Sequence, residues 1–375
     1  MEAEVQNHLA ELRTRRGMSA AQLATTVGVS RQTIYAIEAG SYLPNTALSL
    51  KLAHALNTTV EEIFHLGPNS EPPATIEPVD LLPSNETLYP GQPLRLCGVD
   101  GKLVAVPSEA GMWGLPPVDA ILAEEVSANN RGTARARVLS TSRQPGNRIL
   151  IAGCDPGVAL VARYMERKGV ELIVSYQNSS RALDLLKAGR AHIAGTHLPD
   201  RKTGASNLPG VIRVFGKDKV AVVSYATWEE GIVVRHGNPK SITTVADLAR
   251  RDVRITNREE GAGCRLLLDT QLDHLGVETG TVRGYDDIAF GHLPAARQVQ
   301  AGVSDCCIST RAAARALGLD FMPLATKRYD LVLHRSHLLL PAVQTLIETL
   351  GQTAFRKEME AATGYDLHSA GERLL

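Results

Sequence analysis

The sequence predicts a multidomain chain: an all-α domain over residues 1–66, a small β-rich segment over 86–145, and an α/β body of two lobes over 146–375. Three observations carry that reading. Two short amphipathic stretches meet at Gly28, prolines crowd residues 67–85, and from Arg148 onward apolar strand-like runs alternate with helical ones. At 375 residues the chain is long for one core, so two or three domains are expected.

In the first domain Ser19 is placed to cap a helix over 20–27, Gly28 permits a sharp turn, and Ser30 is placed to cap a second helix over 31–39. Helices over 5–16, 46–56 and 60–64 complete it, with Leu9, Leu23, Ile34, Ile37 and Leu52 among the core residues. On the second motif helix Ile34 and Ile37 share one face, which leaves Gln32, Tyr35 and Ala36 opposite and Arg31 on the flank. An amide pairs with adenine, a guanidinium with guanine or phosphate, and a small Ala lets the backbone approach a thymine methyl. The candidate DNA-reading set is therefore Gln22, Ser30, Arg31, Gln32, Thr33, Tyr35 and Ala36, while Glu38 is assigned to a structural pair with Arg13.

Residues 12–64 resemble the lambda-repressor-like (phage repressor, Cro and XRE) helix-turn-helix family. The resemblance rests on S-x-x-x-L-A, S-x-x-T-I-x-x-x-E-x-G and P-x-x-x-x-L-x-x-L-A-x-A-L. It implies a dimer on a palindromic operator in double-stranded DNA. Residues 1–66 hold five basic and six acidic side chains, so the usual basic footprint is missing and affinity is expected to depend on dimerisation.

Composition is that of a globular protein, with 44% hydrophobic and 21% charged residues and formal net charge zero. No apolar run reaches the roughly 18 residues of a membrane helix, and the first residues are too polar for a signal peptide, so a cytoplasmic protein without membrane contact is expected. The five cysteines form no C-x-x-C pair, which suits reduced thiols.

Residues 67–85 read as a partly extended linker, and PLRLCGV, KLVAVPS and ARARVLS as strands of the β-rich segment. Arg131, Arg135, Arg137, Arg143 and Arg148 are either a solvated face or a secondary contact to the DNA backbone. Beyond them RILIAGC, VELIVSY and HIAGTHL read as strands alternating with helices. A β-rich middle follows (GVIRVFG, KVAVVSYA, GIVVRHG), and alternation resumes with VRITN, TVRGY, CCIS, FMPLAT and YDLVLHR as strands.

GCDP, the run from Ala188 to Asp200, NREEGAGCRLLLD, AAARALGLDFMPL and YDLVL resemble the periplasmic-binding-protein-like domain of molybdate-binding proteins and LysR-type effector domains. This resemblance implies a small, anionic effector, an oxyanion or a carboxylated metabolite, held between the lobes where helix N-termini offer free N–H groups. The candidate ligand residues are Asp155, Asn178, Ser179, Ser180, Thr196, His197, Asn257, Arg258, Gly263, Cys264, Arg265, Ser309 and Thr310, with Asp200 beside them. The family's G-S-G-T-R is G-A-G-C-R at 261–265 here, so molybdate or tungstate does not follow.

Three further readings compete. Cys264, at a helix N-terminus beside Arg265, would have a lowered thiol pKa and with His197, His292 or Cys306 would make a redox or soft-metal sensor. Packing is the plainer reading for Cys264, Cys306 and Cys307. The lobes would otherwise act through protein partners. G-x-S-x-G, Walker and dinucleotide patterns are missing from the sequence, so no catalytic, cofactor or metal residues are assigned and an enzyme is not expected.

Overall fold

The computed structural model describes residues 5–66, 76–108, 117–128, 132–139, 147–198 and 207–375. The chain divides into two compact units, Met1–Ala74 and Thr75–Leu375.

In the first unit β1 (Val5–Asn7) leads into α1 (Leu9–Arg15), α2 (Ala20–Val27), α3 (Arg31–Glu38), α4 (Thr46–Leu56), α5 (Val60–Ile63) and β2 (Phe64–Leu66). Local chemistry sets these boundaries. Ser19 and Gln22 close a capping box on α2, and Ser30, Asn45 and Thr59 cap α3, α4 and α5 by accepting from backbone N–H groups. Gly28 takes φ 78°, the left-handed conformation that turns α2 into α3. Leu9, Leu23, Ile34, Ile37, Leu52 and Ile63 fill the core. The expected Arg13–Glu38 pair forms at 2.7 Å and ties α1 to α3. The single helix expected over 5–16 does not form. Residues 5–7 instead pair antiparallel with 64–66, where Val5 and Phe64 suit extended backbone, and α1 begins at Leu9.

The second unit opens with β3 (Ile76–Leu81), β4 (Pro93–Val99), β5 (Lys102–Pro107), β6 (Ala120–Leu122) and β7 (Gly132–Val138), which close into a barrel of order β3-β5-β4-β6-β7. Residues 76–81 were expected as linker. The prolines hid a two-residue alternation in which Val79 and Leu81 turn inward.

The α/β body follows: β8 (Arg148–Gly153), α6 (Val158–Glu166), β9 (Glu171–Tyr176), α7 (Ser179–Lys187), β10 (Ile193–Thr196), α8 (Leu208–Phe215) and β11 (Val220–Val234). Then come β12 (Ile255–Arg258), α9 (Gly263–His274), β13 (Ile288–Ala289), α10 (His292–Gln300), β14 (Cys306–Thr310), α11 (Arg311–Ala316), β15 (Asp320–His334), α12 (Pro341–Gly351) and α13 (Thr353–Thr363). One sheet of order β13-β12-β14-β11-β15-β10-β8-β9 runs through both lobes. Its centre is the antiparallel pair β11 and β15, 15 residues each, which serves the first lobe beside β10 and the second beside β14.

Several expected strands differ. GVIRVFG is helical, because Pro209 sits in the first turn of α8 and Val211 and Phe215, four apart, share its buried face. FMPLAT and YDLVLHR are one strand, as are KVAVVSYA and GIVVRHG. TVRGY gives way to turns, and β13 forms just after it.

The barrel belongs to the body of this unit. Leu82, Cys97, Val99, Val104 and Val106 share a core with Leu150, Ala152, Ile173 and Leu186. Asp119 lies between two guanidiniums, with Arg95 at 2.9 Å and Arg148 at 3.0 Å, and both arginines also reach Glu171 on β9. Arg148 is thus a structural residue and not a DNA contact. Arg135 and Arg137 are exposed, while Arg131 and Arg143 lie outside the described residues.

Burial alone would raise the Asp119 pKa, but the Leu96 N–H, Arg95 and Arg148 together hold it below the usual carboxylate range. Its stabilising effect is therefore complete above the unfolded pKa and is lost as pH falls through the folded one. Asp119→Ala, which leaves two partly buried guanidiniums to share Glu171 alone, is expected to cost about 1–3 kcal/mol and to flatten the acid limb of stability; urea titrations at neutral and acid pH measure both.

Candidate functional site

On the first unit, α3 presents Arg31, Gln32 and Tyr35 to solvent while Ile34 and Ile37 are buried beneath them. Arg31 Nη2 donates to the Tyr35 hydroxyl at 2.7 Å, so the guanidinium and the phenol are held together. Thr33 and Ala36 are half-buried. Gln22 and Ser30 spend their side chains on the helix caps: the Gln22 amide oxygen accepts from Ser19 N–H, and Ser30 Oγ accepts from Thr33 N–H.

On the second unit a cavity of about 490 Å³ opens between the lobes. The first lobe contributes Cys154, Tyr176, Asn178 and Arg181, and the second Arg258, Glu259, Phe290, His292 and Arg297. Two helix N-termini border it. Asn178 caps α7 by accepting from Arg181 N–H, whereas α10 starts at Gly291 with no side-chain cap. Three guanidiniums against one carboxylate make the lining positive. Arg258 decides its character. The residue is 2% exposed, its Nε and Nη2 grip Glu259 in a bidentate pair at 2.8 and 2.9 Å, and its Nη1 has no hydrogen-bond partner among the described residues. Burial opposes the charge on Arg258, but Glu259 more than restores it. Tyr176 and Phe290, 51% and 48% exposed, add aromatic surface from opposite lobes.

Beside this cavity His197, at the end of β10, lies 2.8 Å from Glu230 of β11, and both are buried. The register of β11 slips at Glu230/Gly231, a bulge that re-aims the carboxylate toward His197. Gly263 permits the approach from the other lobe, since a Cβ there would overlap the His197 ring. Burial alone would lower the His197 pKa; Glu230 and Cys154 carry it up to about 10.

The structure brings only some of the sequence-predicted residues to the cavity: Asn178 and Arg258 line it, and His197 and Gly263 meet near it. Asp155 is turned into the first lobe, where it accepts from Gly157 N–H and from the Tyr225 and Tyr365 hydroxyls. Asn257 is used on the Tyr285 carbonyl, and Thr310 caps α11. Ser179 Oγ accepts from His197 N–H, and Ser309 Oγ donates to the His292 carbonyl. Ser180, Thr196 and Arg265 line a separate hollow, with Arg265 paired to Asp269 at 3.1 Å. Cys264 does not have the lowered pKa expected from its helix position: burial pushes the thiol well up, and Arg265 points to Asp269. Burial likewise raises Cys306 and Cys307, which are free thiols. Asp200 lies outside the described residues. Sequence reasoning missed Glu230, Arg181, Arg297 and the open N-terminus of α10; the G-H-L-P run at 291–294 was its available signal.

Comparison with known proteins divides along the same lines. Residues 162–351 match the PBP superfamily domain and residues 9–63 a helix-turn-helix domain. YvgK of Bacillus subtilis, an uncharacterised protein, is 34% identical over 60% of this chain and 73% of its own length. YgzD of the same organism, an uncharacterised HTH-type transcriptional regulator, is 45% identical over 16% of this chain and 94% of its own. Among solved structures, the sulfate-binding protein SubI of Mycobacterium tuberculosis overlays with a TM-score of 0.44 at 17% identity, over 58% of this chain and 86% of that one. Among the described residues no helix is long and apolar enough to cross a membrane.

Gly263→Ala is expected to push His197 off Glu230 and to destabilise the second unit by about 1–3 kcal/mol; thermal unfolding against wild type tests this.

Proposed function

This chain belongs to the PBP superfamily and carries a helix-turn-helix domain ahead of it, and on that premise we propose a ligand-responsive transcriptional regulator whose effector is a small organic anion. The observation that carries the ligand class is the buried Arg258, with an unpartnered Nη1 on the wall of the interlobe cavity. A buried guanidinium donor without an acceptor is costly, and a carboxylate or phosphate oxygen satisfies it with charge-assisted hydrogen bonds. Arg297 and the N-terminus of α10, whose Gly291 N–H is already drawn to the Glu259 carboxylate, favour the same charge. A volume of about 490 Å³ and the aromatic surfaces of Tyr176 and Phe290 suit a metabolite with an apolar or planar part better than a bare tetrahedral oxyanion. A thiol redox sensor has less support, because burial holds Cys264, Cys306 and Cys307 in the protonated form.

On the DNA side, Gln32 and the Arg31–Tyr35 pair form the exposed reading edge of α3. The module holds about as many acidic as basic residues, so two copies on a palindrome would supply the affinity that one lacks. Effector binding would then bias the placement of the two reading helices.

Two measurements test the reading. A thermal-shift panel of carboxylates, phosphates and tetrahedral oxyanions on the full chain is expected to give a concentration-dependent rise for an organic anion. That rise should weaken in Arg297→Ala and vanish in the charge-balanced Arg258→Gln/Glu259→Gln double variant. A panel without any response, or a response unchanged in both variants, overturns the anion site. Gln32→Ala is expected to cost about 1–3 kcal/mol of operator binding and to relax one base position, whereas unchanged footprints for Gln32→Ala and Arg31→Ala would exclude α3 as the reading helix.

A further inference from the structure

The interlobe cluster beside the cavity holds a buried polar atom that an anion does not account for. His197 Nδ1 and Trp228 Nε1 are both turned toward Glu230, whereas His292 Nε2 is buried and, among the described residues, has no hydrogen-bond partner. His197 and Glu230 are close enough for an ion pair at 2.8 Å but out of line for a directed bond. Buried polar atoms are ordinarily satisfied, so His292 Nε2 calls for a partner.

We propose that Cys154, His197 and His292 hold a divalent transition-metal ion of the zinc class between the two lobes, with Glu230 orienting His197. One ligand atom from each of the three lies within 4.8 Å of the others, and all three residues are buried. Cys154 Sγ and His197 Nε2 are 3.5 Å apart. A tetrahedral zinc with ordinary Zn–S and Zn–N bonds places sulfur and nitrogen about 3.6 Å apart. The surroundings of His292 also leave one nitrogen for a metal: Ser309 Oγ at 3.4 Å and Cys264 Sγ at 3.8 Å both lie against Nδ1, and Nε2 is the nitrogen left over. Glu230 beside His197 Nδ1 is the carboxylate–histidine arrangement that fixes a ligating ring. Binding releases the thiol proton of Cys154 and the Nε2 proton of His197 to solvent, and no electron moves. Cys154 and His292 also line the anion cavity, so the metal site adjoins it.

A second grouping, Glu230, Cys264 and His292, shares His292 and competes for the same ion. Cobalt separates the two. Full-length protein stripped with chelator and titrated with cobalt chloride is expected to take one ion per chain and to show a thiolate-to-cobalt charge-transfer band. Cys154→Ser should abolish the band, Cys97→Ser in the barrel should keep it, and Glu230→Gln should weaken affinity about 10- to 100-fold. X-ray absorption of the zinc-loaded wild type, which needs no variant to fold, should show one sulfur and two imidazole nitrogens. A band lost in Cys264→Ser but kept in Cys154→Ser, or a shell without sulfur, overturns the assignment. The titration contains no organic anion, so its outcome stands apart from that of the anion panel.

Discussion

The lobes are organised around one buried contact, His197 against Glu230. Removing two charged groups from water is expensive, and the attraction between them offsets this only while they stay together. Losing either partner leaves an uncompensated charge in the core, so the surrounding chain is constrained to keep them in reach. The constraint is visible in three backbone features: the bulge at Glu230/Gly231 that aims the carboxylate, Gly263 that clears room for the ring, and Gly153 and Gly195 that make room for Tyr329. The long strands β11 and β15 set the distance between them, because Glu230 sits where β11 passes from one lobe to the other.

What the sequence disclosed follows the range of each interaction. The first unit was legible because its signals are local: Ser19, Ser30 and Asn45 each cap a helix that starts at the next residue, and the Ile34 and Ile37 spacing marks the buried face of α3. The Arg13–Glu38 pair was legible for a related reason, since a glutamate on the edge of an apolar face needs a cation. Alternation of strands and helices gave the two lobes. Three strands of the barrel, β4, β5 and β7, were legible, but its closure was hidden because β3 lies among prolines and pairs with β7, more than fifty residues on. The site was partly hidden for the same reason. Asn178 was found through its place before a helix and Arg258 through its place at a strand end, whereas Glu230 sits inside a long apolar strand and carries no local signal. Helix N-termini were a sound guide to chemistry and a mixed guide to direction: of those singled out, α7 borders the cavity while α9 and α11 do not, and α10, which was not singled out, does.

The proposed anion site and the proposed metal site share Cys154 and His292 and are bordered by both lobes. Ligands at two such places cannot be independent. Whatever one adds to the stability of the closed lobes, the other gains when it binds second, and the factor is the same in both directions. A metal would also alter the charge that the anion meets, adding a cation next to Arg258 on the cavity floor.

The charge balance of the reading module sets how much such a device can achieve. Sequence-independent affinity for DNA comes from phosphates neutralised by Lys and Arg, and a module with Arg13 committed to Glu38 and Arg15 to Glu11 has few left to offer. Such a module tolerates little misplacement, because there is no large electrostatic reserve to hold a poorly seated dimer on its operator. Under the proposed dimeric reading, a modest ligand-driven change in the pairing of two modules would therefore move occupancy further than it would in a strongly basic protein. Weakness of the single reading head is, on this account, what makes a small effector sufficient to control it.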